Sequence, residues 1–256
     1  GRAAERAVET AASVISNINV DLIFGWANQC LSKLDTDLRK AHRLGVSHIS
    51  FYNLTFEGNT VFARRQKRGI LRQMDEELEE RFYNYACELL TGFGFEHEEV
   101  SNFSKPGYSC KHNWLYWSEG QYLGFGPGAH SFIMAEGHPF GLRYSIPFKM
   151  KNYLSDFPKV SGLREMLDVR GYLVENRDGE DWIIEKVWAG LRTKRGVNTQ
   201  DLSQRAKVRF SPTNLINWGI DNGKLVLTSD GFLHLEKAEW FRETYWATEV
   251  TRCFTV

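Results

Sequence analysis

The sequence lacks most of the features that quickly assign a protein. Its 256 residues carry no net charge, because 32 Lys and Arg balance 32 Asp and Glu. Without a basic excess there is no electrostatic ground for direct binding to nucleic acid or to an anionic membrane surface. No run of about 18 apolar residues occurs, so no membrane span is expected, and no segment has the make-up of a signal peptide. Internal repeats and low-complexity tracts are missing as well. Only four cysteines are present: Cys30, Cys87, Cys110 and Cys253. The nearest two, Cys87 and Cys110, lie 23 positions apart, and no C-x-x-C pair exists. That pattern argues against a disulfide framework and predicts reduced thiols, in the cytoplasm or the mitochondrial matrix. There is no initiator Met, so a processed or partial product is expected.

Aromatic residues, by contrast, make up 14% of the chain and include eight Trp. They serve either as large core anchors or as a surface for a flat ligand or a protein partner. Apolar spacing predicts a helix over Glu5–Ser16 with one buried face, and a strand over Ile18–Phe24. Leu34, Leu38, Ala41 and Leu44 fall at helical steps, and Gly45 supplies the stop. "VSHISFYNLT" reads as a second strand and "MDEELEERFYNYACELLTGFG" as a long helix with an acidic first turn. "FEHEEVSNF" reads as a third strand and "QYLGFGPGAHSF" as a fourth. This alternation is the rhythm of a parallel α/β sheet. Ligands gather at the carboxyl ends of such strands, here Asp21–Gly25, Asn53–Thr55, Ser101–Asn102 and Gly126–His130.

From about Met150 the texture changes. "DWIIEKVWAGLRTKRG" predicts a helix with Ile183, Val187, Trp188 and Leu191 on one stripe. Two shorter helices follow, then a hairpin, "KLVLTSDGFLHLE", with Asp230 and Gly231 at its tip. Three helices and a hairpin make a winged-helix-like module. Its would-be reading helix, Ser211–Gly219, contains no Lys or Arg, which argues against DNA and for a structural or partner-docking role. The glycines of "GFGPGAH" have two readings that the sequence leaves open: a strand brought close to a flat ligand, or a tight strand exit.

"INVDLIFG", "HISFYNLTFEGNTVFARR", "EVSNFSKPGYSCKHNWLYW" and "YLGFGPGAHS" occur in that order from the first residues to about residue 145. In these motifs the chain resembles the HemW-type haem chaperones, radical-SAM proteins akin to oxygen-independent coproporphyrinogen III oxidase. "GPGAHS" and "HNWLYW" are more similar to the chaperone branch. The resemblance implies an α/β fold: the carboxyl-terminal part of an incomplete (β/α) radical-SAM-type barrel, then a small winged-helix-like α+β domain. The corresponding boundaries are 1–150 for the partial barrel, 151–180 for a linker and 181–256 for the terminal domain.

The family's cofactors are S-adenosylmethionine (SAM) and a [4Fe–4S] cluster. Carried over by position, the resemblance implies SAM contacts at Asp21, Thr55, Ala129 and His130. It also makes His112, in "KHNWLYW", a haem-ligand candidate through a neutral imidazole. His130 is an equal candidate, Cys110 has less support, and His138 is a poor one. Radical-SAM chemistry requires C-x-x-x-C-x-x-C, and this chain has no such motif. The cluster is therefore not expected to bind to this chain alone, and whether the chain takes part in catalysis stays open. Where the family reads G-L-P-G-Q, this chain reads "GWANQ".

A partial barrel also leaves an open strand edge. Exposing ~1,000 Å² of apolar surface would cost ~25 kcal/mol, more than the roughly 5–15 kcal/mol of a typical domain. Either an N-terminal half or another polypeptide is expected to cover that edge. Two functions follow as expectations: a portion of a HemW-like protein that binds SAM and haem and acts in haem handling or porphyrin metabolism, or a degenerate relative serving as a structural subunit of a larger assembly.

Overall fold

The computed structural model describes residues 1–26, 28–58, 60–156 and 173–255. They form two compact units, Gly1–Cys110 with Lys237–Arg242, and Lys111–Glu236 with Glu243–Val256. Residues 157–172, most of the anticipated linker, lie outside the described residues.

The first unit contains α1 (Arg2–Ala12), β1 (Asn19–Phe24), α2 (Leu31–Arg43), β2 (His48–Asn53), α3 (Val61–Lys67), α4 (Glu76–Gly92), β3 (Glu96–Glu99) and β4 (Asn102–Ser104). In α2 the helical-step residues Leu34, Leu38 and Ala41 are buried. Asp75 caps α4 by accepting the Glu77 N–H, and Glu76, Glu77 and Glu79 occupy the first turn, where the helix dipole favours negative charge. The expectation for the first helix is corrected: no residue of α1 is buried. An apolar stripe sets helix periodicity, but burial needs a facing element.

The sheet order is β1-β2-β4-β3. β1 and β2 are parallel, from Asn19↔His48 to Phe24↔Asn53. The expected third strand is instead two: β4 is antiparallel to both β2 and β3. β3 therefore runs in the direction of β1 and β2, as the strand-helix rhythm requires. The chain then reverses at Val100–Ser101 and inserts β4 between them.

Alternation gives the sheet two unlike faces. Ile49, Phe51, Phe24 and Phe103 are buried together with Leu34, Leu38, Phe82 and Leu90 of the helices, and Phe24 stacks on Phe51 at 4.4 Å. The opposite face carries Asn19, Asp21, His48, Ser50, Asn102 and Ser104. β1 is an edge strand whose Asn19, Asp21 and Ile23 are exposed.

The second unit begins with α5 (Lys111–Trp117), followed by β5 (His130–Ala135), β6 (His138–Ser145), α6 (Met150–Asp156) and β7 (Leu173–Asn176). β5, β6 and β7 form an antiparallel sheet in that order. β6 pairs with β7 across the compositional change near residue 150. "QYLGFGPGAHSF" is corrected from a fourth barrel strand to a doubled-back loop. Tyr122 and Phe132 exchange both backbone hydrogen bonds at 2.9 Å, and β5 starts only at His130. Glycine is required there, since a Cβ on Gly124 would collide with the His130 carbonyl oxygen.

The remainder is α7 (Gly179–Leu191), β8 (Val197–Asn198), α8 (Thr199–Ala206), β9 (Arg209–Phe210), α9 (Asn214–Asp221), β10 (Leu225–Leu227), β11 (Phe232–Leu235), α10 (Glu243–Thr251) and β12 (Phe254–Thr255). β8, β10 and β11 form a small antiparallel sheet, which with α7, α8 and α9 gives the winged-helix order of elements. α7 buries Trp182, Ile183, Val187 and Leu191, and Trp246, Ala247 and Val250 of α10 are buried in the same unit.

Gly196 provides a test of this packing. Its φ is +71°, and a Cβ would strike the Leu233 carbonyl oxygen of β11. Gly196→Ala is expected to destabilise the chain by about 1–3 kcal/mol, read as a lower urea midpoint. Gly223→Ala, with φ +64° but open space around it, should cost less.

Candidate functional site

The polar sheet face of the first unit is built row by row. Asp21, Ser50 and Asn102 are register partners across β1, β2 and β4. Asn19 is their organiser: its Nδ2 donates to Asp21 Oδ1 at 2.8 Å and to Ser50 Oγ at 3.1 Å, and its Oδ1 lies 2.7 Å from His48 Nδ1. Asn102 donates to Glu99, and Ser104 to Glu98. Burial pushes His48 below the usual imidazole range, against the opposing pull of Glu98, Glu99 and Asp21. Burial thus disfavours the charged ring, and Nδ1 faces the Asn19 side-chain oxygen. Asp21 itself is exposed.

Past the strand ends, "GWANQ" keeps part of the pattern it departs from. Gln29 Oε1 accepts the N–H of Gly25 at 3.0 Å and of Trp26 at 3.4 Å. Asn28 has φ 63°, in the position where the family pattern has Gly. Asparagine is among the few residues with a side chain that tolerate this conformation. Trp26 is 40% exposed and stands edge-on to Phe62 at 5.7 Å, with Phe56 stacked on Phe62 at 5.9 Å. Thr55 is exposed in the loop beginning this aromatic group. Below it, Asn53 Nδ2 donates to the buried Glu79 carboxylate at 2.8 Å, and a Cβ on Gly25 would collide with the Asn53 amide oxygen.

The other candidates belong to the second unit. His112 is exposed in the first turn of α5, edge-on to Tyr116 at 4.8 Å. Tyr116 in turn meets Tyr122 at 4.6 Å, and Tyr122 lies 6.4 Å from Phe132, so four rings form a continuous series. Ala129 is fixed by backbone bonds to Gly126 and Ile146, at 3.2 and 2.8 Å. His130 is exposed at the start of β5. His138 lies across the β5–β6 turn, paired with Ala135. Asp21 and Thr55 thus share one unit, and His112, Ala129 and His130 share the other.

Sequence reading missed a cluster in the second unit. Glu119 follows α5 with φ 59°. Its carboxylate accepts from Arg177 at 2.8 Å and from the Trp182 indole at 2.7 Å, and it pairs with Lys186 at 3.0 Å. Glu185 bridges Arg143 at 2.8 Å and Arg177 at 3.0 Å. Burial alone would raise the Glu119 pKa, but Arg177, Lys186 and Trp182 outweigh it and hold the carboxyl below its ordinary value. Glu119, Glu185, Arg143, Arg177 and Lys186 line a cavity of about 470 Å³ with Tyr116, Trp117, Tyr122 and Trp188. The positive φ at Glu119 marks the cluster locally, and it is invisible in one-letter code.

Among the described residues no group of three or more His, Cys, Asp or Glu is placed to hold a metal ion. The three-thiolate set that the family's cluster needs is therefore not matched by the described residues. No described helix is long and apolar enough to cross a membrane.

Comparison with known proteins gives a consistent result. The chain is 32% identical over 225 residues to the haem chaperone HemW of Lactococcus lactis, covering 84% of this chain and 55% of that protein. It is 40% identical over 227 residues to HemW of Haemophilus influenzae, covering 84% and 56%. HemW of Synechocystis matches at 33% over 205 residues, covering 78% and 47%. The chain spans about half the length of these relatives. Among solved structures, the radical-SAM coproporphyrinogen III oxidase HemN of Escherichia coli matches with a TM-score of 0.67. That match covers 99% of this chain and 58% of the oxidase at 14% identity, which fixes the fold alone. No protein-family model matches. The α/β fold read from the sequence, part of a radical-SAM-type barrel, agrees with this likeness.

Two measurements follow from the site. Glu119→Gln keeps the side-chain shape but takes a charge from Arg177, whose side chain is 4% exposed; the loss should be about 3 kcal/mol in urea unfolding. Because the folded-state pKa of Glu119 is depressed, its contribution is complete above the ordinary value of 4.5 and is lost as pH falls through the lower folded value. The wild-type midpoint should therefore drop more steeply than that of Glu119→Gln as pH falls below 4.5. Second, Cys30 is exposed, and its pKa is lowered by the hydrogen bond with Ser32 and then by the Lys33 N–H. Cys87 is pushed up to about 12 by burial. Iodoacetamide mapping by mass spectrometry should find Cys30 modified well before Cys87.

Proposed function

The chain is HemW-like in sequence and HemN-like in fold over the part it spans, and from this premise we propose that it acts in haem handling, with His112 as a ligand to the haem iron. The observation that carries the reading is the exposed His112 ring at the head of the series Tyr116, Tyr122 and Phe132. A neutral imidazole is a good iron ligand, and adjoining ring faces and edges favour a flat macrocycle. The names of the three relatives support the assignment.

SAM contacts at Asp21 and Thr55 of the first unit form the second part of the proposal; Ala129 and His130, the other residues the resemblance implies, belong to the second unit. Asp21 suits that role as an exposed carboxylate beside the buried Ser50–Asn102 row, able to accept hydrogen bonds from a ribose or an amino group. SAM, when bound with its cluster in this family, supplies radical chemistry; the residues here would orient it. We further infer that another polypeptide segment, from a longer form of the protein or from a partner, covers the β1 edge, since Asn19, Asp21 and Ile23 lie exposed on it. The alternative, a structural subunit of a larger assembly, draws on α1, none of whose residues is buried.

Haem titration tests the central claim. Wild type should show a saturable Soret shift, His112→Ala should bind at least about tenfold more weakly, and His130→Ala should retain the wild-type spectrum. Unchanged spectra in both variants would remove the imidazole assignment.

A further inference from the structure

The cavity beside Glu119 shares Tyr116, Tyr122 and Phe132 with the ring series that carries the His112 reading, but His112 itself does not line it. Its volume of about 470 Å³ falls within the range of small-molecule sites. Aromatic walls are contributed by Tyr116, Trp117, Tyr122, Phe132 and Trp188. Such walls favour a planar, apolar body.

Two lining residues hold a buried N–H with no acceptor among the described residues: Trp117 at Nε1 and Arg177 at Nε. The Arg177 side chain is 4% exposed, and its terminal nitrogens are engaged by Glu119 at 2.8 Å and Glu185 at 3.0 Å. Those two ion pairs fix the guanidinium plane, so Nε–H cannot turn to find another partner. A buried donor left unpaired costs about 1–3 kcal/mol. The carboxylates nearby are already committed. Glu119 serves Arg177, Lys186 and Trp182, and Glu185 serves Arg143 and Arg177. Arg143 also reaches Glu175, and Arg192 reaches Glu243, so the cations around the cavity are matched by carboxylates. Net charge therefore does not select the ligand; the two spare donors do. Among the described residues neither donor meets an acceptor, which leaves room for one supplied by a ligand.

We propose that this cavity binds a planar aromatic carboxylate, its rings between the aromatic walls and its carboxylate accepting from Trp117 Nε1–H and Arg177 Nε–H. The site takes the ligand without iron and without His112.

The test uses the full chain, labelled with nitrogen-15, and 2-naphthoate as probe. The Trp117 indole N–H resonance, identified by its absence in Trp117→Phe, should move saturably as naphthoate is added. 2-Methylnaphthalene, which has the same rings and no acceptor, should bind at least about tenfold more weakly. Trp117→Phe removes one donor while keeping an aromatic ring in the wall, and should weaken naphthoate more than it weakens 2-methylnaphthalene by isothermal titration. Arg177→Lys removes the other donor; should it fail to fold, Trp117→Phe alone decides. No saturable shift at millimolar naphthoate, or equal binding of the neutral analogue, would overturn the proposal and leave a packing void or ordered water as the content of the cavity. Because no haem is present, the result is independent of the Soret experiment.

Discussion

The carboxylate of Glu119 is 15% exposed, yet it meets an arginine, a lysine and an indole N–H within 3.0 Å. A buried charge is tolerated only when its lone pairs are met, and here three donors from the end of β7 and from α7 converge on it. The backbone contributes too: φ of 59° at Glu119 places a residue with a Cβ where a helix exit favours glycine. The local cost, about 1–2 kcal/mol, is offset by the ion pairs it makes possible. The same contact fixes Arg177 over the Phe132 ring at 4.8 Å, and so holds one wall of the cavity.

The first unit obeys a different constraint. Its sheet is apolar on the face that packs against α2 and α4 and polar on the other. Asn19, with three neighbours, makes the polar face an ordered array. A surface helix or sheet normally turns polar residues to water, but His48, Ser50, Asn102 and Ser104 are buried. Polar side chains that are both buried and hydrogen-bonded to one another are characteristic of a built interior. On β1 the array reaches exposed residues at a free edge, which is the physical basis for proposing a covering segment.

Much of this fold was legible in one-letter code. The spacing of Leu34, Leu38 and Ala41, the acidic start of α4, the β1 and β2 runs, and the winged-helix order all follow from periods of 3.6 and 2 with caps and turns. Three features were not. "FEHEEVSNF" is one apolar-polar run on paper and two strands in space, because a two-residue reversal carries no Gly or Pro to mark it. "QYLGFGPGAHSF" looks like a strand by its aromatics, yet its glycines serve a backbone crossing. The pair β5 and β6 was overlooked although Glu136–Gly137 between alternating runs is a turn signal.

The sequence by itself determined the helices α2, α4 and α7, the strands β1 and β2, and which of their residues are apolar toward a core. Its motif order also led to the HemW-like resemblance, since all of these depend on neighbours a few positions away. Only the tertiary structure decided that α1 has no buried face, that β4 inserts between β2 and β3, and that Asn28 takes the left-handed backbone of a glycine. It alone joined Glu119 to Arg177 and Trp182, 58 and 63 positions later. Such pairings are set by chain topology and by the requirement that buried charges and donors be met, and neither has a local period to read.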